Sequence, residues 1–324
     1  MTSLAPEPTQ AAFDADAYRC PCPAKSNVAA GREEYRCTTC DKQFPVVRGV
    51  PVFIDDESSV FATCDYVEGS EYAGAGYGHD RGGPRAIYRR VFRGLADSGP
   101  RQAGIDGKAA VDFVAREKQM PRILIVGAGH QLYDAKHDIT YTDVAFGGRV
   151  NCICDGQGLP FAAERFDLVI AVAVLEHVTD PYQCMAEIQR VLKPDGLIYS
   201  ATPFLQPVHM GAYDFTRFTP LGHRRLHRYF DEIESGIAQG PGSVLGLSIR
   251  YFLLSFSDNG RYRRLARAAS MILTLPLRWS DVLFRNRKGA WDVAGGSRFF
   301  GRKRATPVPD REILLQYRGR DSAA

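Results

Sequence analysis

Residues 122–131 read RILIVGAGHQ: four apolar, β-prone residues, Ile123 to Val126, run straight into a glycine pair, Gly127 and Gly129, with Ala128 between them. An apolar run ending in such a turn predicts a buried strand whose chain bends sharply and lets a ligand approach the backbone, which glycine does without a Cβ clash. A dinucleotide fingerprint GxGxxG needs glycine at 132, where Leu132 stands. Alone, the pair serves equally as an ordinary tight turn. Its neighbours decide.

Working outward, further buried-strand runs lie at 139–143, 150–154, 168–172 and 197–201, with helix-competent segments between most of them. Such alternation predicts an α/β fold built on a parallel, doubly wound sheet. Upstream, a helix is expected with apolar positions Ile87, Val91, Phe92 and Leu95, and a second one near 109–117. Downstream, Thr219 and Pro220 open a helix predicted over 220–230, followed by an edge strand near 232–238 and a last strand, RFFGRK, at 298–303. Asp143 closes the second strand, where an acidic residue can accept hydrogen bonds from ribose hydroxyls. Cys154, Asp155 and Gly156 follow the third, and Leu159, Pro160 and Phe161 offer an apolar shelf beside that carboxylate, a setting suited to an adenine ring.

These pieces together resemble the class I S-adenosylmethionine-dependent methyltransferases, in the type 11 branch: GxG, then DGxxLPF, FDxV, VLEHVxDP and RVLKPGG, over about 120–240. The chain departs from that pattern in Asp195, which replaces the first glycine of the last turn, and in Gln131, which replaces a further glycine. The resemblance implies a Rossmann-like, mostly parallel seven-stranded sheet and S-adenosyl-L-methionine as cofactor. It places Gly127, Ala128 and Gly129 against the cofactor, Asp143 at the ribose, Asp155 with Gly156 and Leu159 at the adenine, and Ala173 within the stretch that lines the reacting methyl group.

Methyl transfer is an in-line displacement, governed by alignment, with a base needed only where the acceptor loses a proton. Candidates belong at the carboxyl ends of strands four and five. His177 is read as beginning the helix after strand four, either catalytic or capping backbone, and 203–219 (PFLQPVHMGAYDFTRFT) adds His209, Tyr213, Asp214 and Arg217. That loop is similar to a bacterial methyltransferase subgroup linked to glycan and surface-polymer biosynthesis, which implies a role for these residues in the acceptor pocket. His209 is the favoured base, and a salt bridge to Asp214 is the alternative role for Arg217. No Asn/Asp-Pro-Pro-Tyr/Phe motif follows strand four, so an oxygen or carbon acceptor is expected rather than an exocyclic amine. An NAD-dependent oxidoreductase shares the glycine-and-acid logic but would need a proton-donor motif such as Tyr-x-x-x-Lys. A non-catalytic binding protein on a methyltransferase fold is the third reading.

Cys20, Cys22, Cys37 and Cys40 crowd into a short stretch rich in turns and β-prone residues, the texture of a zinc ribbon, and four thiolates suit a closed structural Zn2+ site. The alternative is a ribbon that keeps its cysteines as small core residues. The formal net charge of +4 hides an asymmetry: 26 Lys+Arg against 32 Asp+Glu over 1–260, but 15 against 5 over 261–324. Within 261–304 the basic residues surround a short apolar run, AASMILTLPL, interrupted by Pro276. This segment is expected either to lie on an anionic membrane surface or to pack Leu265, Ile272, Leu273 and Leu277 on the sheet with its arginines solvated. Nucleic acid is disfavoured for want of an interleaved aromatic pattern. The chain lacks a run of about 18 apolar residues and a secretory leader pattern, so a cytoplasmic protein, peripheral to the membrane at most, is expected. The expected organisation is a disordered start (1–17), a zinc-ribbon-like domain (18–55), a Gly-rich linker (56–84), a methyltransferase domain (85–304, with a basic amphipathic insertion at about 246–290) and a tail (305–324).

Overall fold

A computed structural model describes residues 17–31, 33–68, 104–129, 131, 133, 136–147, 149–284 and 286–322. The helix expected around Ile87 to Leu95 lies outside the described residues. Each apolar run of 122–201 forms a strand: β5 (Arg122–Val126), β6 (Asp138–Asp143), β7 (Cys152–Cys154), β8 (Phe166–Val172) and β9 (Leu192–Pro203). They pair in parallel in the order β7-β6-β5-β8-β9, and β11 (Gly296–Lys303) and β10 (Phe230–Gln239) continue the sheet antiparallel, with β10 at the edge.

The apolar alternation divides between two cores. Ile123, Ile125, Leu168 and Ile170 pack with Ala110, Val111 and Val114 of helix α2 (Gly107–Glu117). Leu124, Val126, Val169 and Ala171 pack with Cys184, Met185, Ile188 and Val191 of α3 (Pro181–Val191). Strands buried on both faces read as unbroken apolar runs, which is why the sequence shows no polar alternation here.

The amino-terminal strands β1 (Val28–Ala30), β2 (Glu34–Cys37), β3 (Gln43–Val47) and β4 (Val50–Phe53) form an antiparallel ribbon. β4 also pairs in parallel with β7, Val52 opposite Ile153 and Phe53 opposite Cys154, so the ribbon extends the main sheet at its far edge. A shared aromatic cluster fills the junction: Tyr18 stacks on Phe53 at 5.1 Å between centroids, Phe44 lies 4.9 Å from Phe53, and Tyr18 lies 5.7 Å from Phe161. Each such fully buried ring contributes on the order of 2 kcal/mol.

Two local expectations are corrected. Helix α4 (Pro220–Leu226) is N-capped by Thr219 but stops short of 230, because Phe230 is buried and opens β10. Helix α3 starts at Pro181, with Asp180 accepting from the backbone N–H groups of Tyr182 and Gln183 at 2.9 Å. His177 therefore lies in the loop before the helix and does not begin it. Pro276, which interrupts the apolar run, sits inside α6 (Gly260–Phe284). The carbonyl it leaves without an N–H donor is that of Ile272, an exposed residue that solvent can serve.

α5 (Pro241–Leu254) and α6 make a hairpin between β10 and β11. Its seam is small and polar. Gly242 and Gly246 abut Leu277 and Thr274, and buried Asp281 caps the start of α5 by accepting from the Gly242 N–H (2.7 Å) and the Ser243 hydroxyl (2.6 Å). The large apolar residues face outward: Leu265, Ile272, Leu273, Trp279 and Leu283 are all more than half exposed. The packing of Leu265, Ile272 and Leu273 against the sheet, one of the two sequence expectations, does not occur.

Candidate functional site

Gly127 and Gly129 turn at φ +64° and +51°, the left-handed region that glycine enters without strain. A Cβ on Gly127 would stand 2.4 Å from Val174 Cγ2, so the loop after β5 rests directly on the loop after β8. Asp143, at the end of β6, accepts from the Gly129 N–H at 2.7 Å and the Ala145 N–H at 3.0 Å, which fixes the glycine loop from the side. Ala128 is buried and donates its N–H to the Thr142 carbonyl (2.8 Å). Asp155, after β7, caps a short turn by accepting from the Gln157 N–H (2.9 Å) and takes a second bond from the Ser59 hydroxyl (2.7 Å). Gly156 and Leu159 are buried in the core behind it. Ala173 is exposed at the mouth with φ +55°, a strained conformation held by its N–H bond to the Ala201 carbonyl (2.9 Å).

The segment after the ribbon covers this face. Besides the bond from Ser59 to Asp155, Phe61 stacks on Tyr213 at 5.6 Å and the Tyr66 hydroxyl, on helix α1 (Thr63–Val67), donates to the Val144 carbonyl at 2.8 Å. Sequence pattern does not single out Ser59 or Phe61, because neither belongs to a motif.

His177 and His209, expected at the acceptor end, converge on a residue the sequence pattern hides. Glu176 sits at the end of the apolar run Val174-Leu175 and its side chain is fully buried. His177 Nε2 lies 3.6 Å and His209 Nε2 3.8 Å from its Oε1, and the two rings meet edge to face at 4.8 Å. Among the described residues neither Glu176 carboxylate oxygen has a hydrogen-bond partner. His177 Nδ1 is 2.7 Å from the Tyr213 carbonyl, the backbone contact weighed as its structural role. The Glu176 carboxylate raises the His209 pKa above its ordinary value, against the effect of burial.

Asp214 and Arg217 form a bidentate ion pair, and Arg217 also donates to the carbonyls of Gln206 (3.4 Å) and Pro207 (3.3 Å). Burial pushes the Asp214 carboxyl up, but Arg217 and the His209 N–H outweigh it and hold it below the usual carboxylate range. The Phe215 and Thr216 N–H groups both donate to the Glu176 carbonyl, at 2.8 and 3.3 Å, locking this loop to the one after β8. Met210, at φ +63°, turns the chain beside His209.

The four cysteines form a second cluster, with every Sγ within 4.8 Å of the others and Cys20 Sγ 3.7 Å from Cys40 Sγ. The N–H groups of Thr39 and Cys40 both point at Cys37 Sγ (3.4 Å), and that of Cys22 at Cys20 Sγ (3.4 Å). Burial pushes the Cys37 thiol up, yet the Cys40 and Thr39 N–H groups bring it down to about 7. A separate cavity of about 310 Å³, lined by Arg224, Glu232, Trp291 and Arg318 among others, shares no residue with either cluster or with the glycine loop.

A doubly wound sheet with two left-handed glycines after its central strand and carboxylates closing the next two strands is a Rossmann-like α/β arrangement. Residues 90–200 match the family Methyltransf_11, described as a methyltransferase domain. The chain is 30% identical over 113 residues to the malonyl-[acyl-carrier protein] O-methyltransferase of Methylovorus sp. (strain MP688), covering 34% of this chain and 38% of that protein. It is 27% identical over 121 residues to the ubiquinone/menaquinone biosynthesis C-methyltransferase UbiE of Hydrogenovibrio crunogenus, covering 37% and 48%. It thus spans less than half the length of either relative. Among solved structures, phosphoethanolamine N-methyltransferase 2 of Haemonchus contortus bound to S-adenosyl-L-methionine is similar at 14% identity, covering 70% of this chain and 59% of that one, with a TM-score of 0.39.

Proposed function

We propose that the protein moves the methyl group of S-adenosylmethionine to a hydroxyl, with carbon as the second choice, of a small-molecule or glycan-type acceptor. The observation that carries this reading is the Glu176, His177 and His209 cluster two residues beyond Val174, on which the glycine loop rests. When bound, S-adenosylmethionine supplies an electrophilic methyl group on a sulfonium. Gly127 and Gly129 leave backbone room for it, and the carboxylates of Asp143 and Asp155 stand at the adjoining strand ends. His209, half-buried, can hold the proton a hydroxyl loses. The stretch from Ala171 to Val174 carries no polar side chain to grip an amine, and the two relatives named above methylate oxygen and carbon. A panel of phenolic, carboxylic and glycan hydroxyl acceptors incubated with methyl-labelled S-adenosylmethionine should give O-methyl products; transfer confined to amines would overturn the reading.

Cys20, Cys22, Cys37 and Cys40 suit a structural zinc. Sulfurs at about 2.3 Å from a tetrahedral ion stand about 3.8 Å apart, close to the Cys20–Cys40 separation of 3.7 Å. The N–H groups aimed at Cys20 and Cys37 stabilise the thiolates. One zinc per chain is expected in unchelated protein, and a content well below that would remove the metal.

The hairpin supports peripheral contact with an anionic membrane. Small residues in the seam and large apolar ones outside are the packing expected where the surroundings are lipid. Arg261, Arg264 and Arg267 are exposed along α6 and provide charge complementary to lipid phosphates. No described helix is long and apolar enough to cross a membrane, so the contact is with the surface. Flotation with vesicles containing anionic lipid should carry the protein upward, and Ile272→Glu with Leu273→Glu should abolish this; no flotation at physiological salt would end the reading.

A further inference from the structure

We infer that Glu176, His177 and His209 bind one divalent transition-metal ion through a carboxylate oxygen and the two Nε2 atoms. The site is distinct from the cysteine cluster and adjoins the cofactor loop.

The first support is the buried carboxylate. A side chain with no exposure and no hydrogen-bond partner among the described residues costs several kcal/mol unless a cation compensates it. The second is the orientation of the rings. His177 Nδ1 is committed to the Tyr213 carbonyl at 2.7 Å, which places the proton on Nδ1 and leaves the Nε2 lone pair facing Glu176. His209 Nδ1 lies 3.4 Å from Arg217 Nη2, which can only donate, and 3.5 Å from Asp214 Oδ2, so its Nε2 faces Glu176 carrying a proton that a bound ion would displace. Metal-bound imidazoles have the arrangement of His177, the second nitrogen tied to a carbonyl that fixes tautomer and direction.

The third support is distance. Two ligand atoms on one ion at about 2.1 Å are at most about 4.2 Å apart. Glu176 Oε1 is already within that limit of both Nε2 atoms, at 3.6 and 3.8 Å, and all three ligand atoms lie within 4.8 Å of one another. Tetrahedral ligation brings such atoms to about 3.4 Å apart, so the set closes by side-chain motion of up to about 1 Å. Two imidazoles and a carboxylate favour borderline ions such as Zn2+, Co2+ or Fe2+ over Mg2+, which prefers oxygen alone. Three protein ligands leave open positions, and the side chains of His177 and His209, 16% and 36% exposed, leave the site accessible from solvent. On the methyl-transfer reading given under Proposed function, an acceptor hydroxyl in an open position would be polarised by the ion and lose its proton to solvent, with His209 then serving as a ligand in place of the base.

The probe is Co2+, titrated into protein whose cysteine site already holds zinc. One further Co2+ per chain should bind, with weak ligand-field absorption and without the intense bands of sulfur ligation. Glu176→Gln and His209→Ala should each weaken it at least tenfold. Because Glu176 is buried, His209→Ala, altering a half-buried side chain, carries the test if Glu176→Gln does not fold. No saturable Co2+ beyond the zinc site, or unchanged affinity in the variants that fold, would overturn the site and leave a simple Glu–His ion pair. The titration needs no methyl donor, and binding of S-adenosylhomocysteine needs no metal, so the two readings fail separately.

Discussion

Among the described residues two pairs of histidines are in edge-on contact, and they have opposite chemistry. His177 and His209 flank a buried carboxylate at the mouth of the sheet, where the pKa of His209 is raised. His223 and His227, 4.4 Å apart, are sealed in the core, and among the described residues neither has an ion pair with a carboxylate. Burial, with the neighbouring His227 and Arg224, drives His223 well below its ordinary value, and burial takes His227 to about 4 despite its bond to the His223 carbonyl. Residue type and ring contact are shared, so the surroundings decide which pair can hold a cation and which stays neutral.

The largest effect that sharpens this contrast is acid stability. Both core histidines have folded-state pKa values below the unfolded value near 6.5, so the unfolded chain takes up protons first as pH falls. Stability is full above about pH 6.5 and drains away as pH drops towards 4, by about 3 kcal/mol for His227 alone. Urea unfolding at a series of pH values checks this, and His227→Gln should remove much of the slope. An unaltered slope would break the comparison.

Arg217→Ala comes next. It leaves the buried Asp214 carboxylate without its guanidinium and releases the Gln206 and Pro207 carbonyls, for an expected loss of about 2–3 kcal/mol in urea unfolding. Arg217→Lys keeps the charge but not the fork and should recover only part of it. The smallest effect is His177→Ala in protein free of cobalt, expected to cost about 1 kcal/mol because one carbonyl bond is lost at the rim. A loss as large as that from Arg217→Ala would mean that His177 is a structural strut, not a ligand.

The strands of the sheet were legible because each is an apolar run bounded by turn residues, and the glycine turn after β5 was legible with them. The cysteine cluster was legible too, since its donors are close in sequence. Glu176 was not, since one carboxylate at the end of Val174-Leu175 reads as the edge of a buried run, and its partner His209 lies on a loop after a different strand. The outward apolar face of α6 was equally hidden: Ile272 and Leu273 have the same spacing whether they face a sheet or solvent. Pairing of β4 with β7 depends on tertiary packing of Phe53 with Tyr18 and Phe161, which no local pattern reports.

The central claim is that this is an S-adenosylmethionine-dependent methyltransferase domain. Calorimetric titration of the whole chain with S-adenosylhomocysteine and, separately, NAD tests it most directly. Saturable binding of one S-adenosylhomocysteine per chain, lost in Gly127→Val because the new side chain meets Val174, and no binding of NAD are the predicted results. Absence of S-adenosylhomocysteine and S-adenosylmethionine binding, or a preference for NAD, would contradict the account.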